Sequence, residues 1–112
     1  MSVVWFEPTK HYGVSINKQG ISFGSGVHKE LGSPAFIKIG FDGDNLIIAC
    51  SFETNHEAIQ VKKIRGQVRI AKRPLIMWIE GLTGMKYLKS THYQYKIINF
   101  NDRNAISIKL KK

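Results

Sequence analysis

The chain has 112 residues, 43% of them apolar and 22% charged. That is enough for one hydrophobic core and too few for two, and it excludes global disorder. The formal charge is +9, and no run of about 18 apolar residues offers a membrane helix. Met1–Lys10 carries Glu7 and Pro8 without an apolar stretch, so it does not read as a signal peptide, and the single cysteine, Cys50, cannot form an internal disulfide. A reducing cytoplasm is the expected location.

Val3–Phe6 is apolar and precedes Pro8, as an edge or opening strand does. Gly13–Lys18 alternates, with Val14 and Ile16 on one side and Ser15 and Asn17 on the other; Gln19-Gly20 breaks the run and Ile21-Ser22-Phe23 resumes it, which predicts a hairpin. Gly24-Ser25-Gly26 reads as a flexible connector with Ser25 as N-cap. Val27–Leu31 supplies one or two helical turns, stopped by Gly32 and Pro34. Ala35–Phe41 and Leu46–Phe52 are strands about the turn Asp42-Gly43-Asp44-Asn45. The first half thus reads strand, strand, short helix, strand, strand.

Glu53–Ala58 suits a linker, and Ile59–Ile70 a second strand–turn–strand broken at Gly66. Ala71–Gly81 favours a helix, with Pro74 in its first turn and Leu75, Ile76, Ile79 and Leu82 at helical spacing; a strand through Leu75–Ile79 is the alternative. Tyr93–Phe100 alternates, Asn101–Asn104 turns, and Ala105–Leu110 is a last strand with Ile106, Ile108 and Leu110 on one face. The class is therefore α+β: a strand-rich single domain over residues 1–112 with one or two short helices. Trp5, Phe6 and Trp78 are expected in the core, as is the Cys50 thiol.

The charge is unevenly placed. Residues 1–56 hold four basic and five acidic side chains, a net of −1, whereas residues 57–112 hold thirteen basic and three acidic, a net of +10. Such a field attracts polyanions. Within it Lys62, Lys63, Arg65, Arg69, Lys72 and Arg73 fall in one stretch, and alternation would put Lys63, Arg65 and Arg69 on a common face able to meet phosphates; a solvated strand face is the plain alternative. Lys86, Lys89 and Lys96 lie among Tyr87, His92, Tyr93 and Tyr95, a mixture suited to base stacking or, alternatively, to tyrosines packed on the core with wet hydroxyls. His11, His28, His56 and His92 have no metal-ligand spacing with Cys50, Asp42-Gly43-Asp44 is not an EF-hand loop, and Gly24-Ser25-Gly26 is not a P-loop. No cofactor is expected, and no catalytic constellation.

The halves share an order of elements. Phe41–Ile47 lines up with Phe100–Ile106, and Ile21-Ser22-Phe23 with Val68-Arg69-Ile70, which suggests internal repeats at 13–52 and 59–110 with roughly ten extra residues around Thr83–His92 in the second. Two unrelated hairpins sharing generic turn chemistry are the alternative. The stretch Val14–Gly32, followed by Asp42-Gly43-Asp44 and Leu46-Ile47-Ile48, resembles the swapped-hairpin domain of AbrB-type regulators and MazE-type antitoxins: strand, glycine turn, strand, short helix ending Leu31-Gly32, hairpin with an acidic turn. The resemblance covers about 40 residues. It implies DNA binding, a homodimer or, with the repeat, a pseudo-dimeric barrel in one chain. Where the family carries Arg in the first turn, Pro before the helix and Arg within it, this chain has Gln19, Gly24 and His28. The basic second half would supply those contacts instead. The expected function is a DNA-binding regulator; the rival is a small inhibitor or accessory protein, of mobile-element type, that docks on a nucleic-acid-processing partner.

Overall fold

The structure, a computed structural model, describes Val3 and residues 13–52, 54–64 and 66–110. The strand expected at Val3–Phe6 and the core positions of Trp5 and Phe6 lie outside the described residues, apart from an exposed Val3.

Two open antiparallel sheets, with two short helices, share one core. The elements run β1 (Val14–Asn17), β2 (Gly20–Gly24), α1 (Ser25–Glu30), β3 (Phe36–Asp42), β4 (Asn45–Cys50), β5 (Ile59–Gln60), β6 (Lys62–Ile64), β7 (Gln67–Ile70), α2 (Arg73–Thr83), β8 (Thr91–Tyr93), β9 (Lys96–Phe100) and β10 (Arg103–Lys109). Sheet A has the order β6-β7-β2-β1-β8 and sheet B the order β5-β3-β4-β10-β9. Neither sheet closes on itself, which corrects the expected barrel: the edge strands of each sheet, two to five residues long, are not paired with each other.

Period-two patterning fixes which side of each strand is buried. Val14, Ile16, Ile21, Phe23, Val68 and Ile70 of sheet A meet Ile37, Leu46, Ile48, Ile106 and Ile108 of sheet B in a single cluster, which Val27 and Leu31 of α1 and Ile76 and Ile79 of α2 complete. Each of these side chains is at least 95% buried, and a buried aliphatic of this size stabilises the fold by roughly 1.5–3 kcal/mol.

Local chemistry sets the boundaries. The first turn is Lys18-Gln19, held by Asn17 Oδ1, which accepts from the amides of Gln19 (2.8 Å) and Gly20 (3.1 Å). Gly20 is already strand, paired with Asn17, and a Cβ there would run into the Ile70 carbonyl. Glycine is therefore demanded at 20 by the approach of β2 to β7, not by the turn. Gly24 takes the N-cap place expected of Ser25, so the connector is shorter than its composition implies. Helix α2 ends where Gly84 turns left-handed (φ 73°) and its amide donates to the Glu80 carbonyl (2.8 Å), which removes the strand alternative for Leu75–Ile79.

Two expected strands are split because the chain changes sheets. Ile59–Gln60 pairs with β3 in sheet B, while Lys62–Ile64 pairs with β7 in sheet A; the crossing residue Val61 donates its amide to the Ala35 carbonyl (3.1 Å). Thr91–Tyr93 likewise pairs with β1, and after Gln94-Tyr95 the chain enters sheet B as β9. Trp78, expected in the core, is 43% exposed and tilts against Phe41 with ring centres 5.2 Å apart.

The halves meet at the middle of both sheets: β2 pairs with β7, with Ser22 opposite Arg69, and β4 pairs with β10, with Ile48 opposite Ile106. The alignment of Phe41–Ile47 with Phe100–Ile106 is one residue out of register, since the two-residue turns close on Asp42–Asn45 and on Phe100–Arg103.

Candidate nucleic-acid interface

The outward side of sheet A is built by the residues that alternate with the core set. Reading across the strands, Lys62 lies opposite Arg69, Arg69 opposite Ser22, Ser22 opposite Ser15, and Ser15 opposite His92. These five side chains form one row across the whole sheet, about 19 Å long at the usual strand spacing. Lys62, Arg69 and His92 are exposed, and the two serines are half-buried. Ser15 Oγ and His92 Nδ1 are hydrogen-bonded at 2.9 Å. The row is a shallow surface of short hydroxyls with two cations at one end.

This arrangement corrects the expected grouping of Lys63, Arg65 and Arg69. Lys63 is opposite the buried Val68, so it shares the inward parity of β7 and escapes to solvent only because β6 is an edge strand. The partner of Arg69 is Lys62. Arg65 lies outside the described residues. Lys72 is the N-cap residue of α2 and Arg73 its first residue, both exposed, directly after β7. No acidic side chain occupies the first turn of α2, so two cations stand where the helix dipole favours anions. Lys86 and Lys89 are exposed on the segment after α2, and Lys96 sits on β9 in the other sheet. The structure thus joins Lys62 and Arg69, with Lys72 and Arg73 adjoining in the chain, and leaves Lys96 apart.

Among the described residues none of these cations is matched by an acid, and the one close acid–base contact is His56–Glu57, at 3.7 Å. From Ala58 to Ile79 the sequence contains no Asp or Glu at all.

The tyrosines do not form a stacking platform. Tyr87 is 99% buried, its hydroxyl is 3.0 Å from that of Tyr93, and its amide donates to a Glu80 carboxylate oxygen (2.9 Å). Burial, then the Tyr93 hydrogen bond, pushes the Tyr87 phenol well above its ordinary value of 10.0. Tyr95 is half-buried, and its phenol is raised by burial and by Glu30. His28 is buried with its ring Nε2 2.7 Å from the Pro34 carbonyl oxygen.

Ser15 and Ser22 were missing from the sequence-based site, and His92 stood there only among the tyrosines. The strand parity of the serines was legible, but the pairing of β2 with β7 and of β1 with β8 that sets the three in line with Arg69 was not. Among the described residues no group of His, Cys, Asp or Glu gathers where it could hold a metal, and no helix is long and apolar enough to cross a membrane. Comparison of the chain with protein-family models, with characterised proteins and with solved structures finds no match in any of the three.

Proposed function

We propose that this protein binds nucleic acid, with duplex DNA as its target, through the outer face of sheet A. The observation that carries the reading is the cross-strand Lys62–Arg69 pair, continued in the chain by Lys72 and Arg73. Like charges directly opposite destabilise a sheet, and cations at a helix N-terminus weaken the helix. Four such charges, without acidic neighbours among the described residues, cost the fold stability, and phosphate contacts offset that cost. The flat hydroxyl row beside them lets a backbone approach closely, while hydroxyls and guanidinium donate to phosphate oxygens.

The same reading takes the chain as two swapped-hairpin-like units. Supporting it, the second half repeats hairpin, helix, hairpin. The central pairs Ser22–Arg69 and Ile48–Ile106 are offset by 47 and 58 residues, so eleven more residues lie between the second pair of hairpins, close to the ten or so expected. A regulator of the AbrB type is the class this supports.

The test is fluorescence anisotropy with a labelled mixed-sequence duplex over a range of salt. Binding should fall steeply with salt, and Arg69→Ala/Arg73→Ala should flatten the logarithmic slope by about 2. No binding at low salt would remove the reading. A second reading, an accessory protein docked on a nucleic-acid-processing partner, is favoured by α2, where Trp78 (43% exposed) and Leu82 (58% exposed), one turn apart on the same face, open apolar surface to solvent.

A further inference from the structure

The outer face of sheet B has a different chemistry. At the end where β4 leaves the sheet, a cleft of about 330 Å³ opens over Ala49, within the range of roughly 300–1,000 Å³ typical of small-ligand sites. Two phenyl rings and two cations line it. Lys38 Nζ lies 5.3 Å from the centre of the Phe100 ring, and Arg103 Cζ lies 5.4 Å from the centre of the Phe52 ring. Phe52 is 66% exposed and Phe100 42% exposed, so neither ring is committed to the core. Arg103 is tethered from behind, its Nη1 donating to Cys50 Sγ at 3.5 Å. The amides of Asn55, Asn101 and Asn104 complete the wall, and among the described residues no carboxylate lines this cleft. An adjoining cavity of about 480 Å³ shares Phe52, Arg103 and Asn104 and has Glu30 in its lining.

A single exposed apolar side chain needs no explanation. Here two exposed phenyls, two cations and three amides converge on one concave site. Each group answers one part of a nucleotide. Aromatic faces stack a base and tolerate any base. Guanidinium and ammonium groups take the phosphate. Side-chain amides both donate and accept, as base edges require. We propose that this cleft binds an unpaired nucleotide, its base against Phe52 and Phe100 and its phosphate on Lys38 and Arg103. The site is distinct from the sheet A face, so the two can be tested apart. The nucleotide comes either from a single strand or from the free pool.

The experiment is an anisotropy titration with labelled oligothymidine and, separately, labelled duplex, using wild type, Phe52→Leu/Phe100→Leu and Arg69→Ala/Arg73→Ala. Leucine keeps apolar bulk without a π face, both sites are substantially exposed, and equal melting temperatures check the fold. The expected result is a loss of roughly tenfold on the single strand for the leucine variant, with duplex binding changed less than about twofold; Phe52→Tyr/Phe100→Tyr should restore single-strand binding. Side-chain amide signals of Asn55, Asn101 and Asn104, followed by NMR, identify the source: shifts with adenosine monophosphate assign a free-nucleotide site, and shifts with oligothymidine alone assign a strand. Single-strand binding undiminished in the leucine variant, equal loss on both nucleic acids, or no amide shift with either ligand would overturn the proposal. Failure of duplex binding alone would remove the sheet A reading and leave this one standing.

Discussion

The two hairpins at the centre of sheet A share an antiparallel pairing and carry different surfaces. In each, two residues of sequence separate the last paired positions, and each presents one strand to the other across Ser22 and Arg69. Outward, β1–β2 shows Ser15 and Ser22, while β6–β7 shows Lys62 and Arg69. Inward, β1 and β2 bury Val14, Ile16, Ile21 and Phe23, and β7 buries Val68 and Ile70, but no residue of β6 is buried. The difference teaches that the fold constrains only the inward parity. The outward parity is free to carry charge, and β6 carries it at the edge of the sheet that the described residues form, where lysines also discourage strand addition. At Lys62 the proposed phosphate contact and edge protection coincide, whereas Lys63, on the other parity, serves the edge alone. Arg69, one strand in from the edge, has no edge to protect, and it therefore separates the two explanations.

The hardest way to break the comparison is at the joint between the hairpins. Gly20→Ala places a methyl group against the Ile70 carbonyl. The expected cost is about 2–3 kcal/mol, seen as a fall in Tm of roughly 10 °C. Gln19→Ala, one residue earlier in the exposed turn, should stay within about 0.5 kcal/mol. Equal melting temperatures for the two variants would mean that β2 and β7 are not in this register.

The next effect is on binding. Arg69→Ala/Arg73→Ala should weaken duplex affinity by roughly thirtyfold, whereas Ser15→Ala/Ser22→Ala on the matching hairpin should change it less than about twofold. Equal losses would place the interface on the hydroxyl row and not on the cations. A smaller effect of opposite sign sharpens the same contrast. Ser15→Lys/Ser22→Arg gives the first hairpin the surface of the second and should raise duplex affinity by about fivefold, with a salt slope steeper by about 1–2. It should also cost a few tenths of a kcal/mol, because Arg at 22 would face Arg69. An unchanged affinity would argue against sheet A as the binding face.

Much of this fold was legible. The alternations read at Gly13–Lys18, Ala35–Phe41 and Ala105–Leu110 follow from local patterning, as do the helix stop at Gly32 and the turns at Gly43 and Asp102, although β10 begins two residues earlier, at Arg103. What was not legible depended on which strands meet. Val61 and Gln94-Tyr95 look like ordinary strand interior in sequence, yet they are where the chain passes between sheets. Lys63 and Arg69 have compatible spacing, and only the Lys62–Arg69 register reveals that they point to opposite sides. The core place of Tyr87 was one of the two readings of its stretch, but its partner was not legible: its neighbours Lys86, Leu88 and Lys89 are exposed, and the Tyr87–Tyr93 hydroxyl pair depends on the return of β8 against β1.

That return supplies the last and smallest prediction. The first hairpin is flanked by β8, held by the Tyr87–Tyr93 hydroxyl pair and the Ser15–His92 bond, and among the described residues β6 has no such neighbour on its outer side. Tyr87→Phe keeps the buried ring and removes one hydroxyl, so at neutral pH it should cost about 1 kcal/mol. The sign then depends on pH. The folded state raises the ionisation of Tyr87 above the ordinary 10.0, because burial and the Tyr93 hydrogen bond favour the neutral phenol. Its contribution is therefore complete below about pH 10 and is lost as pH climbs beyond that, since the unfolded chain releases the proton first. Phenylalanine has no proton to release. The stability gap between wild type and Tyr87→Phe should narrow from pH 8 to pH 11 and then reverse, while exposed lysines titrate alike in both proteins. Denaturant midpoints followed by tryptophan fluorescence at the two pH values measure this directly. A gap that stays constant would mean that the hydroxyl is solvated, and that β8 is held to the first hairpin by backbone pairing and the Ser15–His92 bond alone.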